Sequence, residues 1–304
     1  PMYSGDHVKK VNTYNPNILI NPSFTVKQRG DVIDYDEGDY GPDRWMVRGE
    51  GRVGGGKSRS STDSSSGINK LVVEHDGATS HSYVHQKIEA VNLLGLYGKE
   101  MTFSFSYSDT GGSGIPKVRI YSWDSLDNHK DLFDTTPTSL GDNRWTCTFT
   151  LETMNGAIPD PSEAGMEVLI YPNEMNAAPN EWSVWETKLE AGSVATPFIA
   201  RPYSEELALC QRYYYRRTRR SGGSGDYVGI GQAQAAGKGC VVIDHPVEMR
   251  ASPSFASSGS MTVSNGTPRT ASTITASSKG TANFLLTADC GSGMTIAQCV
   301  RVTF

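Results

Sequence analysis

The sequence predicts an all-β protein: a sandwich or jelly roll, then one short helix, then a smaller β domain. Runs that alternate apolar and polar residues at period two recur along the first two-thirds of the chain. Gly, Pro, Asn and Ser stand between them where turns are needed. Only one stretch carries helical spacing. With 304 residues the chain is long enough for two cores.

The first strand signal is Ile18-Leu19-Ile20, stopped by Asn21-Pro22, after a polar arm over residues 1–16. An acidic stretch with Asp31, Asp34, Asp36, Glu37, Asp39 and Asp43 precedes Trp45. Residues 49–69 are dominated by Gly, Ser and charge and read as an exposed loop or hairpin connection. From Lys70, Leu71, Val73 and His75 alternate with Val72 and Glu74. The run Met101-Thr-Phe103-Ser-Phe105-Ser-Tyr107 is the clearest case, with large apolar groups on one face and hydroxyls on the other. Val118–Tyr121, Thr146–Leu151, Val168–Tyr171 and Trp182–Leu189 repeat the pattern. Such a series argues for packed antiparallel sheets rather than a parallel α/β sheet.

The helix is expected from Ser204 as N-cap, with Glu205 and Glu206 in the first turn and Leu207, Cys210 and Tyr214 on one face. Past Ser221-Gly-Gly-Ser-Gly225, short strands such as Cys240–Ile243 and Ala282–Thr287 compose the second domain. The last 54 residues carry only Arg269, Lys279, Asp289 and Arg301 as charged groups. So thin a core calls for an oligomer interface. The expected division is arm 1–16, sandwich 17–203, linking helix 204–220 and C-terminal domain 221–304.

The chain carries 33 acidic against 28 basic residues, a net charge of −5. That balance is no footprint for nucleic acid or an anionic membrane. The run Arg212, Arg216, Arg217, Arg219, Arg220 around Tyr213–Tyr215 is read as structural, its arginines pairing with Glu205, Glu206 or a neighbouring subunit. No apolar run is long enough for a membrane helix, and no secretory leader is expected from the polar N-terminus. Five widely spaced cysteines fit buried free thiols in a protein folded in a reducing cytoplasm, with a Cys290–Cys299 bridge as the alternative.

Catalytic signatures are missing. His81 and His85 share a strand face without a third ligand or a His-Glu-x-x-His motif. Gly229-Ile-Gly231 and Gly237-Lys238-Gly239 complete neither a dinucleotide fingerprint nor a P-loop. No internal repeat indicates the long β-helix of a depolymerase. The protein is therefore expected to bind and not to catalyse, without a cofactor. The candidate sugar-binding cluster is Tyr121, Trp123, Asp124, Asp127, Asn128 and His129, where rings for stacking on pyranose C–H groups stand beside groups that orient hydroxyls. The same segment also reads as a strand end with Trp123 packed on the core. Trp45, Trp145, Trp182 and Trp185 read as core aromatics. Asp31, Asp34 and Asp36 are weak candidates for a structural calcium, since their spacing lacks an EF-hand's Gly and terminal Glu.

Several motifs together resemble a known family. Asn17-Ile-Leu-Ile-Asn21-Pro-Ser-Phe24, Gln28-Arg29-Gly30 and Tyr40-Gly-Pro-Asp43-Arg44-Trp45 resemble the opening of a carbohydrate-binding-module-like domain of bacteriophage tail fibres and receptor-binding proteins. Val84–Glu89, Leu96–Lys99, Trp185–Phe198 and Arg201-Pro202-Tyr203 through Tyr214 are similar to its middle, end and junction. The resemblance spans about residues 17–215. It implies an N-terminal jelly-roll β-sandwich, a homotrimer and attachment to the host cell surface through polysaccharide or lipopolysaccharide. It also implies other tail proteins as partners and the virion as location, the chain folding in the host cytoplasm before assembly. A structural tail or baseplate component without host contact, or a small glycan hydrolase, are the alternatives.

Overall fold

The computed structural model describes residues 16–35, 39–50, 56–62, 67–75, 81–110, 114–124, 128–153, 164–173, 180–217, 227–258, 261–265, 267–292 and 299–303. The chain divides into two compact units, Pro1–Leu207 and Ala208–Phe304. Among the described residues no helix is long and apolar enough to cross a membrane.

Among the described residues the N-terminal unit holds thirteen strands: β1 (Val32–Tyr35), β2 (Asp39–Tyr40), β3 (Met46–Glu50), β4 (Gly56–Thr62), β5 (Asn69–His75), β6 (His81–Glu89), β7 (Glu100–Asp109), β8 (Pro116–Trp123), β9 (His129–Thr135), β10 (Thr138–Gly141), β11 (Arg144–Thr150), β12 (Gly165–Pro172) and β13 (Asn180–Ala191). They form a seven-stranded sheet in the order β1-β4-β5-β13-β7-β11-β10 and a six-stranded sheet in the order β2-β3-β6-β12-β8-β9. The recorded pairs are antiparallel. The all-β sandwich is therefore observed, and β4 runs through the Gly/Ser-rich stretch to pair with both β1 and β5.

Side-chain alternation makes the core. From β7, Met101, Phe103, Phe105 and Tyr107 point inward; from the opposite sheet come Val84, Ile120, Val168 and Ile170. Val72 is buried as well as Leu71 and Val73, so β5 is covered on both faces. On the far face of β7, Thr102, Ser104 and Ser106 are buried too. There Thr102 Oγ1 donates to Gly192 O at 2.6 Å and Lys188 Nζ to Pro197 O at 3.2 Å, so the chain after β13 returns over this face. Lys188 and Glu190 form a buried ion pair at 3.2 Å. Glu190 accepts further bonds from Thr196, 2.8 Å from its N–H and 2.6 Å from its hydroxyl.

The motif residues at the start of the sandwich act as structural ties. Ile18–Ile20 is not a strand but a bend entering a turn, because Asn21 and Phe24 take left-handed φ values of 54° and 55°. Asn21 Nδ2 donates to Val26 O and Asp43 O, each at 2.8 Å, and its carbonyl accepts the Trp45 indole N–H at 2.9 Å. Asp43, 1% exposed, accepts from the Gln28 backbone at 3.1 Å and from the Gln28 side chain, and lies 3.5 Å from Arg29. Burial pushes its carboxyl above the ordinary value despite these partners.

Helix α1 (Tyr203–Gln211) begins two residues earlier than the capping reading placed it. The Pro202 carbonyl accepts the backbone N–H of both Glu205 and Glu206, each at 3.1 Å, which leaves Ser204 inside the first turn. Glu206 is 2% exposed and paired with Arg201 at 2.9 Å, so it is a buried tie and not a solvated end charge.

The C-terminal unit holds β14 (Tyr227–Ala235), β15 (Lys238–Asp244), β16 (Thr262–Ser264), β17 (Pro268–Thr270), β18 (Thr273–Ser277), β19 (Asn283–Asp289) and β20 (Cys299–Thr303) in one sheet, ordered β17-β16-β20-β14-β15-β19-β18. Among the described residues its buried core comprises Val228, Ala233, Val241, Ile243, Met261, Val263, Leu286 and Ala288, with Phe255 and Phe284 partly buried against it. Cys290 is a free thiol 3.2 Å from Gly237 O, so it forms no bridge; the Cys299 side chain lies outside the described residues.

Candidate ligand-binding face

The outer face of the six-stranded sheet collects the chemistry. On β8, Pro116, Val118, Ile120 and Ser122 are buried, while Lys117, Arg119, Tyr121 and Trp123 alternate with them on the outer side. The register sets Trp123 against His129 and Tyr121 against Asp131 on β9, and against Gly165 and Glu167 on β12. β12 in turn pairs with β6, which brings His85 and Lys87 onto the same face. Three of the expected residues, Tyr121, Trp123 and His129, therefore meet here. Asp124 and Asn128 instead close the β8–β9 connection on each other, with the Asn128 backbone 3.1 Å from Asp124 Oδ1 and its amide 3.1 Å from Oδ2. Asp127 lies outside the described residues.

Trp123 is not a core residue. Its indole crosses Gly165, where a Cβ would stand 2.9 Å from Trp123 Cζ2 and 2.1 Å from Ile88 O; a side chain here would clash with both backbone and ring. Lys87 Nζ lies 5.3 Å from the Trp123 ring centroid. Trp185 is buried at 9% exposure but lies outside the main cluster, opposite Ser106 on β7 with Lys70 Nζ 4.6 Å from its ring. Trp45 and Trp182 are core residues, and Trp145 packs against the core.

At the centre of the face is a carboxylate that sequence reasoning missed. Glu167 is 3% exposed. Its Oε1 meets His85 Nδ1, and its Oε2 accepts the Tyr121 hydroxyl at 2.7 Å, with Lys87 Nζ at 3.9 Å. Burial alone would raise this carboxyl, but the hydrogen bond and charge of His85, the Tyr121 bond and Lys87 outweigh it and hold Glu167 below the ordinary value. Burial and the Glu167 charge push the Tyr121 phenol far up, so it stays protonated. A second layer fixes the rim. Arg119 Nε and Nη2 fork onto Asp131 at 2.8 and 3.2 Å, Nη2 reaches His129 Nε2 at 3.1 Å, and Asp134 lies 3.8 Å from Nε. The Asp131 bond raises the guanidinium above its ordinary value, so it stays charged. The Arg119 guanidinium lies 5.4 Å from the Tyr121 ring, whose other ring neighbour is His129 at 5.3 Å. Trp123 Nε1 and His85 Nε2 have no hydrogen-bond partner among the described residues.

The one sequence signal for Glu167 is its place as the single charge in the apolar run Gly165–Ile170; for His85 it is the shared strand face with His81. The aspartate reading for calcium is not supported. Asp31 is exposed and paired with Lys27 at 2.6 Å, Asp34 is exposed on β1, and Asp36 lies outside the described residues. No group of three or more potential metal ligands converges among the described residues.

The shifted Glu167 carboxyl makes stability depend on pH with a definite sign. Its folded-state value lies below the ordinary 4.5, so its contribution is complete above about pH 4.5 and is lost as pH falls through the lower folded value. Glu167→Gln is therefore expected to flatten the acid limb of the melting-temperature profile below pH 4.5 relative to the parent chain; parallel limbs would contradict the assignment.

No protein-family model and no curated protein sequence matches the chain. Several solved structures are similar to it. The xylan-binding CBM22-1 domain of Paenibacillus barcinonensis Xyn10C aligns at 10% identity and TM-score 0.34, over 60% of this chain and 97% of its own. TmCBM61, solved with β-1,4-galactotriose, aligns at 13% identity and TM-score 0.34, over 58% of this chain and 99% of its own. The enzymatically active domain of bacteriophage CBA120 tailspike protein 4 aligns at 9% identity and TM-score 0.30, over 58% of this chain but 21% of its own.

Proposed function

We propose that the outer face of the six-stranded sheet binds a glycan of a bacterial surface, and that the chain is the receptor-binding protein of a phage tail. The observation that carries the glycan reading is the pairing of half-buried rings on the outer sheet face with a fixed polar network. Tyr121 and Trp123 lie on one face, interleaved with Glu167, His85, Arg119 and Asp131. Flat rings stack on sugar C–H groups, and rigid hydrogen-bonding groups select hydroxyls at low entropic cost. The phage assignment rests on the motif resemblance, as do the trimer, the virion location and the tail partners. Binding without catalysis fits a face that interacts with a repetitive polymer through many weak contacts, and a trimer multiplies their effect.

Trp123→Ala is expected to weaken binding to host surface polysaccharide about tenfold or more, the loss of one stacked ring. Titration calorimetry against extracted polysaccharide, with melting temperature as the folding control, measures this. Unchanged affinity in a folded variant removes this face as the ligand site. Excess protein is also expected to block phage adsorption; failure to do so would leave a structural tail component as the better account.

A further inference from the structure

We propose that Glu167 sets the ligand class of this face: by fixing the Tyr121 hydroxyl as a hydrogen-bond acceptor within a ring of compensated charges, it selects uncharged sugars that donate hydroxyls and rejects acidic ones. The proposal rests on the glycan reading above and deepens it. A phenol has one proton to give and two lone pairs to receive with. The Tyr121 proton is committed to Glu167 Oε2 at 2.7 Å, and Glu167, ionised, offers no proton in return. What Tyr121 turns toward a ligand is therefore a lone pair. A sugar hydroxyl or amide N–H satisfies it; a carboxylate or phosphate oxygen does not.

Charge acts in the same direction. Around Tyr121 stand three carboxylates, Glu167, Asp131 and Asp134, set against Lys87, Arg119 and the His85 ring on Glu167 Oε1. Both cations face carboxylates: Arg119 is forked onto Asp131, and Lys87 lies 3.9 Å from Glu167. His129 Nε2 lies 3.1 Å from Arg119 Nη2, which can only donate to it. An incoming anion would have to displace one of these pairings, and exposed Asp131 and Asp134 would repel it. Glu167 is in this account a positioning residue, since at 3% exposure it reaches the ligand only through Tyr121.

The test uses the full chain and neutral β-glucan and β-galactan, each compared with the same polymer oxidised at C6 to the uronate. The parent protein is expected to bind at least one neutral polymer, and its oxidised form about tenfold more weakly, the scale of one mispaired buried hydrogen bond plus like-charge repulsion. Affinity for the neutral polymer should change little between about 50 and 500 mM salt. Glu167→Gln, whose amide can donate to the phenol, is expected to shrink the preference to about threefold or less, a readout that lost packing alone would not move. Tyr121→Phe should weaken neutral binding about fivefold while leaving the oxidised form nearly unchanged, and it stands in if the Glu167 variant does not fold. Tighter binding of the oxidised polymer, or an unaltered preference in folded Glu167→Gln, overturns this inference and leaves the glycan reading intact. Binding of no polymer in either form, together with no binding to host polysaccharide, overturns both.

Discussion

Glu206→Ala is expected to destabilise the N-terminal unit by about 3–5 kcal/mol, the cost of stripping one partner from a buried ion pair. Glu206 is 2% exposed, and its carboxylate accepts from the Asn21 backbone and from Arg201 Nη1, which lies 2.9 and 3.2 Å from its two oxygens. Arg201 reaches back to Leu19 O at 3.0 Å and to Asn17 O. The pair thus clamps the first turn of α1 to the segment that opens the sandwich. Without Glu206, a guanidinium held at 12% exposure has no counter-charge, and the Asn21 N–H loses its acceptor. Glu206→Gln keeps the volume and one acceptor, so about half the loss is expected. Trp45 reports the event directly, because its indole donates to Asn21 O at 2.9 Å. Urea unfolding followed by tryptophan fluorescence measures both variants; a loss below about 1 kcal/mol for the alanine variant would show that the pair is not a clamp.

The second large effect lies in the other unit. Gly231→Ala is expected to cost about 3 kcal/mol or more in the C-terminal unit and to leave the N-terminal unit untouched. A Cβ at Gly231 would fall 1.8 Å from Cys240 O, 2.9 Å from Cys240 C and 3.1 Å from Val241 Cα. These are backbone atoms of the neighbouring strand and cannot rotate aside. β14 lies between β20 and β15, so separating it opens the middle of the sheet. The buried side chains described in this core are Val, Ala, Ile, Leu and Met, which have little to offset the loss. The five tryptophans, Trp45, Trp123, Trp145, Trp182 and Trp185, all precede residue 208, so their fluorescence follows one unit only. Calorimetry should show the transition of the C-terminal unit lowered while the fluorescence transition stays in place. A variant as stable as the parent would contradict the β14–β15 pairing.

Legibility from sequence followed the range of the interaction. Met101, Phe103, Phe105 and Tyr107 could be assigned to one buried face because strand geometry alone puts alternate residues together. Tyr121, Trp123 and His129 could be grouped because a single hairpin brings them within a few residues of each other. Glu167 could not be added, since it lies 46 positions from Tyr121 and 82 from His85. Its partners depend on β12 entering between β6 and β8, an order that no local pattern specifies. The helix start was displaced for a related reason. Ser204 has the better intrinsic capping chemistry, but the Pro202 carbonyl accepts the first free amides and the Arg201–Glu206 pair holds the turn where it is.

By itself, then, the sequence determined the secondary-structure class, the inward faces of the strands and the aromatic residues of one hairpin. Those properties arise from backbone sterics and side-chain periodicity, which act over a few residues. Strand order, by contrast, sets which Asn, Asp and Glu tie loops together and which lies at the centre of the outer sheet face. Asn21, Asp43 and Glu206 became buried links, while Glu167, buried as deeply, became the centre of an exposed face. The physical reason is that a buried polar group takes its role from the partners that compensate its lost hydration, and those partners are delivered by strand order rather than by neighbours in the chain.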